Sequence, residues 1–232
     1  MDEKPTNRPT TWKQVDYSAL PQDEYLKRKK KEQIKVYLIT YIAYSLIHFE
    51  RVFWSLSKSY LKTGPYKDQF TTTVLSSFDF AELIAYSFFL YLSGIIGDNF
   101  DQRRVLTWAY LGLGTVFFML GLPGFMDMSS GFWYYYFILV MVLIGALNAM
   151  LWPSFISIVG HWFPKSSRGF LAGLWSTCNN TGNILGIQLG AGLLTIFGDN
   201  WQWLLVTISL LVYIWAGVIY FFLVPEPDLI GI

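Results

Sequence analysis

Charge is what this 232-residue sequence has least of: Lys and Arg fill 17 positions and Asp and Glu 16, together 14%. A soluble domain carries nearer a quarter of its residues as charges, so a water-soluble globular class is excluded. With 53% hydrophobic and 19% aromatic residues, the chain reads instead as a polytopic membrane protein lying in a lipid bilayer. A net charge of +1 lacks the basic excess that a nucleic-acid partner calls for. The one cysteine, Cys178, leaves no internal disulfide to form. Absent too are a Gly-rich phosphate loop, carboxylates paired at acid–base spacing and a cluster of metal ligands, so no enzyme, no cofactor and no metal site is expected. Residues 1–35 hold neither the apolar core nor the small-residue cleavage site of a secretory signal, and do not compose a typical transit peptide. They read as a polar, basic amino-terminal tail, with Trp12, Tyr17 and Tyr25 spaced along it as anchors suited to a protein surface.

What is there is apolar and long. A helix needs about 20 largely apolar residues to cross a bilayer, and six stretches qualify: 36–56, 76–97, 104–122, 132–160, 168–197 and 200–224. The expected architecture is an all-α membrane protein, a six-helix bundle over residues 36–224 with a short tail at 225–232. The basic residues then fix its orientation. Nine lie in the amino-terminal tail, Arg103 and Arg104 follow span two, and Lys165 and Arg168 follow span four, against Lys58, Lys62 and Lys67 on the other side. Both termini are therefore expected on the positive, cytoplasm-like or matrix-like side. An internal membrane, the mitochondrial inner membrane or the endoplasmic reticulum, is favoured.

The loop 94-GIIGDNFDQRR-104 places a glycine, an acid and an arginine pair between spans two and three. It resembles the signature loop of the major facilitator superfamily, with Asn99 where that family has arginine. In Gly94, Asp98, Arg103 and Arg104 the resemblance implies close helix approach at the glycine, local capping and pairing by the aspartate, and basic contacts with helix ends. Three further stretches are similar to the sugar-phosphate exchangers, relatives of the organophosphate:phosphate antiporters. They are 51-RVFWSLSKSYL-61 in span one, 152-WPSFISIVGHWFPKSSRG-169, and 175-WSTCNNTGNILG-186, with Pro225-Glu226-Pro227-Asp228 closing the last span. The resemblance implies half of a major facilitator fold, its amino-terminal six helices.

In that family the first-span arginine faces a central cavity and binds the substrate's phosphate, a role suited to a planar bidentate cation. Arg51 stands at the matching position. Buried in lipid it must face a cavity or meet an acid, so it reads either as an anion site or as half of a structural ion pair. The departures around it decide the expectation. The family's next lysine is Val52, the preceding residue is Glu50, and Glu82 occupies a span-two position that is apolar in the family, with Asp79 one turn away. An ion pair among Glu50, Arg51 and Glu82 is expected to satisfy the arginine and to repel phosphate.

If transport survives, Asn148, Asn179 and Asn183 are substrate-binding candidates beside Arg51, although amides inside a bundle equally bond neighbouring helices. Where the family has a span-five histidine, this chain has Cys178 and Asn179. Gly182, Gly186 and Gly190 recur every fourth residue and predict one close-packed helix face. Two functions are open. One is a degenerate half-transporter serving as an accessory subunit among the other membrane subunits of a larger complex. The other is a working sugar-phosphate/phosphate transporter assembled with a second half, the substrate sitting between the halves.

Overall fold

The computed structural model describes residues 20–198 and 200–231, with the backbone alone at Gly97 and Asp98. Trp12, Tyr17 and the side chain of Asp98 lie outside the described residues. Among those residues the regular elements are helical throughout.

Helix α1 (Gln22–Thr63) opens after Pro21 with Asp23 and Glu24 in its first turn, where carboxylates meet the positive end of the helix. Glu24 accepts from Arg28 one turn later, at 3.1 Å. Its 42 residues span about 60 Å at 1.5 Å per residue, twice the hydrocarbon thickness. Residues 22–35, expected as a tail, thus extend the first span as one rod, because Lys, Arg, Glu and Gln are good helix formers however poorly they suit lipid. Helix α2 (Thr72–Asn99) begins where the Thr71 hydroxyl accepts from Val74 N–H at 3.4 Å. Helix α3 (Gln102–Gly121) is capped by Asp101, whose carboxylate accepts from Arg103 N–H at 2.9 Å.

Two of the expected spans are jointed. The stretch 132–160 divides into α4 (Phe132–Asn148) and α5 (Leu151–Trp162). Pro153 has no N–H to offer the Ala149 carbonyl, and the ladder lapses there. The stretch 168–197 divides into α6 (Lys165–Ser176) and α7 (Cys178–Phe197) at Thr177, whose hydroxyl donates to Leu174 O at 2.7 Å in competition with the backbone. Helix α8 (Gln202–Phe222) follows, so the described helices form six long segments, two of them jointed. Four stretches are apolar and long enough on their own: Thr72–Ile96, Gln102–Phe125, Phe132–Trp162 and Gln202–Phe222. The first and fifth crossings fall short by composition because they carry Glu50, Arg51 and Lys58, and the asparagines of α7.

The helices pack chiefly as α3 on α8, α2 on α4 and α1 on α7. Exchanging the first three crossings for the last three maps α1/α7 onto α4/α2 and α3/α8 onto itself, the pairing of an internal repeat. Glycine makes both outer contacts. A Cβ at Gly182 would stand 2.5 Å from Ser45 O, at Gly186 3.3 Å from the Phe49 Cα, and at Gly190 2.6 Å from Leu56 Cδ1. Gly145 of α4 does the same against the Glu82 carbonyl of α2. At Gly94, by contrast, a Cβ would meet nothing within 4 Å among the described residues, so the close approach expected there is not made by them.

The described ends of the chain converge. Gln33 Nε2 donates to Trp162 O, and Trp162 Nε1 donates to Val224 O, each at 2.8 Å. Arg103, Arg104, Lys165 and Arg168 begin α3 and α6 at this same end, with Arg103 buried over the Tyr220 ring at 5.6 Å.

Candidate functional site

Helical spacing builds the site from two stripes. On α1, Arg51, Trp54 and Lys58 stand three and four residues apart; on α2, Asp79, Glu82 and Tyr86 do the same, so each set shares one helix face. The faces meet antiparallel. Arg51 Nη2 lies 3.7 Å from Glu82 Oε1, and Lys58 Nζ lies 2.6 Å from Asp79 Oδ2, with the Trp54 indole N–H donating to Asp79 Oδ1 at 3.0 Å. Together with Leu83 and Tyr86 these residues line a cavity of about 290 Å³.

Glu50 does not join Arg51. Consecutive helical residues point about 100° apart, so while the Arg51 side chain keeps 51% of its surface free, Glu50 turns inward and is only 1% exposed. Its Oε2 has no hydrogen-bond partner, and Glu50 makes no ion pair among the described residues. The expected three-member ion pair is thus the two-member contact Arg51–Glu82, with Glu50 behind it. Lys58, expected in the opposite-side loop, is inside the site because α1 continues to Thr63. Its pairing with Asp79 is the part that sequence reasoning missed, although the 51/54/58 and 79/82/86 spacings signal it.

The asparagine candidates separate. Asn148, at the end of α4, is buried with its amide N–H toward Glu82 and its amide oxygen without a donor. Asn179 and Asn183 of α7 instead flank His48 on α1. Two aromatic layers enclose the charges: Tyr44, Trp152, Phe155 and Trp175 on the side toward the amino terminus of α1, and Trp54, Phe78 and Phe137 on the other. In the signature loop, it is Asp101 that caps α3, while Arg104 is exposed. Among the described residues no group of His, Cys, Asp and Glu is arranged to hold a metal ion.

This bundle and its loop agree with a family-wide comparison, in which the model of the Major Facilitator Superfamily matches residues 37–231. The chain belongs to the major facilitator superfamily. It is 33% identical over 225 residues to sugar phosphate exchanger 3 of Xenopus laevis, covering 86% of this chain and 43% of that protein. It is 31% identical over 205 residues to a candidate glycerol-3-phosphate transporter of Arabidopsis thaliana, number 2, covering 85% and 40%. The chain therefore spans less than half the length of these relatives. Among solved structures, the proton:xylose symporter XylE bound to 6-bromo-6-deoxy-D-glucose superposes with a TM-score of 0.66 at 14% identity, over 83% of this chain and 45% of XylE. A bacterial homologue of the human lysosomal transporter Spinster, inward-facing and unoccupied, gives 0.62 at 16% identity, over 85% and 44%. These likenesses establish a transporter-type membrane fold.

Proposed function

We propose that this chain is a major facilitator half whose anion-binding arginine is neutralised by its own carboxylates, and that it serves as a membrane-embedded accessory subunit rather than as a phosphate carrier. The observation that supports this most is the Arg51–Glu82 contact at 3.7 Å. Around it, Asp79 takes up Lys58 at 2.6 Å, so neither cation lining the pocket is left unpaired. A phosphorylated anion entering the cavity would have to displace Glu82 and then face the remaining carboxylates, each repulsion being of order a few kcal/mol in a partly dry site. The chemistry left to the pocket is that of a closed polar cluster holding α1 to α2.

The apolar faces of α2 (Phe80, Ile84, Phe88) and α7 (Ile184, Ile187) stand exposed. In this reading other membrane subunits of a larger complex cover them. The basic end, with both termini, faces the cytoplasm-like or matrix-like side of an internal membrane, mitochondrial or endoplasmic-reticular.

A second reading has its own observation in its favour. Arg51 stands half-exposed at the cavity edge, and the relatives are named for sugar phosphate and glycerol 3-phosphate. With a second half, that arrangement describes a working organic-anion exchanger. Purification from the native membrane in mild detergent separates the two. Stoichiometric co-migration with other membrane subunits, and no phosphate exchange once reconstituted in liposomes, supports the accessory role. A small assembly of two halves that exchanges inorganic phosphate for a sugar phosphate refutes it.

A further inference from the structure

Around Glu50 the charges do not balance. Arg51 is matched by Glu82 and Lys58 by Asp79, at 3.7 and 2.6 Å, which leaves Glu50 as the odd carboxyl. It is 1% exposed and its Oε2 lacks any partner. The charges acting on it are Glu82 and Asp79 from α2, and Arg51 and Lys58 from its own helix. Helices α4, α7 and α8 bring no Asp, Glu, Lys, Arg or His. A second group points to the same deficit from a different element: Asn148 of α4, 4% exposed, turns its amide N–H toward Glu82 and leaves its amide oxygen without a donor.

An isolated carboxylate in such a place costs several kcal/mol even after relaxation. One monovalent cation restores neutrality to three acids and two bases. A proton is the cation that needs no coordination shell, and it converts the orphan oxygen into a hydroxyl donor. We propose that Glu50 and Glu82 share a single proton, making the pocket between α1, α2 and α4 a proton-binding site. The proton arrives from water through the 290 Å³ cavity. While it is held, Glu82 pairs with Arg51 beside a neutral Glu50; once it is lost, an unpaired buried carboxylate stands behind Glu82. The site goes beyond the accessory reading and stands whether or not the chain transports anything.

Infrared difference spectroscopy on the full chain in phosphatidylcholine vesicles at neutral pH, with deuterium exchange, tests this. The expected spectrum contains one protonated-carboxyl C=O stretch, absent from Glu50→Gln, displaced but retained in Glu50→Asp, and displaced in Glu82→Gln because the proton's second acceptor is changed. Absence of the band in the wild type, its survival in Glu50→Gln, or indifference to Glu82→Gln overturns the proposal. So does loss of the band on adding sodium chloride at constant pH, which would assign the site to a metal cation. Should Glu50→Gln fail to fold, Glu50→Asp and Glu82→Gln decide the matter. Phosphate exchange, on which the functional reading turns, leaves this band unaffected, so the two ideas fail separately.

Discussion

Lys58 Nζ and Asp79 Oδ2 lie 2.6 Å apart, one helical turn or two from the Arg51–Glu82 contact and on the same pair of faces. The two bridges fix α1 against α2 at one register, with the Trp54 indole closing the second carboxylate oxygen of Asp79. Either acid removed alone leaves a partly buried cation behind.

Asp79→Asn is therefore expected to lower stability by about 1–3 kcal/mol, the cost of an unmatched polar group. Asp79→Asn combined with Lys58→Met should recover most of that loss, since removing both members of a pair is far milder than removing one. Thermal unfolding of the two variants in one detergent, scored as a double-mutant cycle, checks it.

Glycines of α7 differ sharply in what they touch. Gly182 leaves 2.5 Å between a Cβ and the Ser45 carbonyl, whereas at Gly192 a Cβ meets nothing within 4 Å among the described residues. Gly182→Ala should destabilise by about 1–3 kcal/mol through overpacking. Gly192→Ala should be neutral or stabilising by up to about 1 kcal/mol through helix propensity. Equal effects of the two substitutions on the unfolding midpoint would contradict the α1/α7 packing described above.

Asp127 lies in the loop between α3 and α4, outside the spans. The Ser129 backbone N–H and hydroxyl, and the Tyr66 hydroxyl, all donate to its carboxylate and hold it below the ordinary aspartate value. A depressed folded-state pKa contributes stability that is complete above the unfolded value, about 3.9, and disappears as pH falls through the lower folded value. The protection factor of the Ser129 amide should thus be highest at neutral pH and fall only in strong acid, while Asp127→Ala lowers it across the whole range. A protection factor independent of pH in the wild type would refute this.

Much of the fold was legible in the sequence because lipid imposes one rule on every segment, and four of the expected spans coincide with helical stretches apolar and long enough to cross a membrane. The joints at Ala149–Met150 and Thr177 were not, since they arise from one missing N–H and one side-chain hydroxyl inside otherwise continuous apolar runs. The basic stretch from Gln22 is not legible as part of the first helix, because polarity marks the end of a span without marking the end of a helix. In the site, the Arg51–Glu82 contact joins two opposite charges that stand out in the sequence against apolar spans. The position of Glu50 is not legible there, because adjacency in sequence is not adjacency on a helix face. Gly145 carries no repeat to advertise it, while the Gly182, Gly186 and Gly190 strip does.

Inorganic phosphate binding by the purified chain, followed by calorimetry, tests the central claim most directly. If Arg51 is already compensated by Glu82, the wild type shows no saturable binding, Glu82→Gln acquires it, and Arg51→Gln added to Glu82→Gln abolishes it again. Saturable binding by the wild type that is lost in Arg51→Gln alone would show the guanidinium free for an anion and would contradict the account.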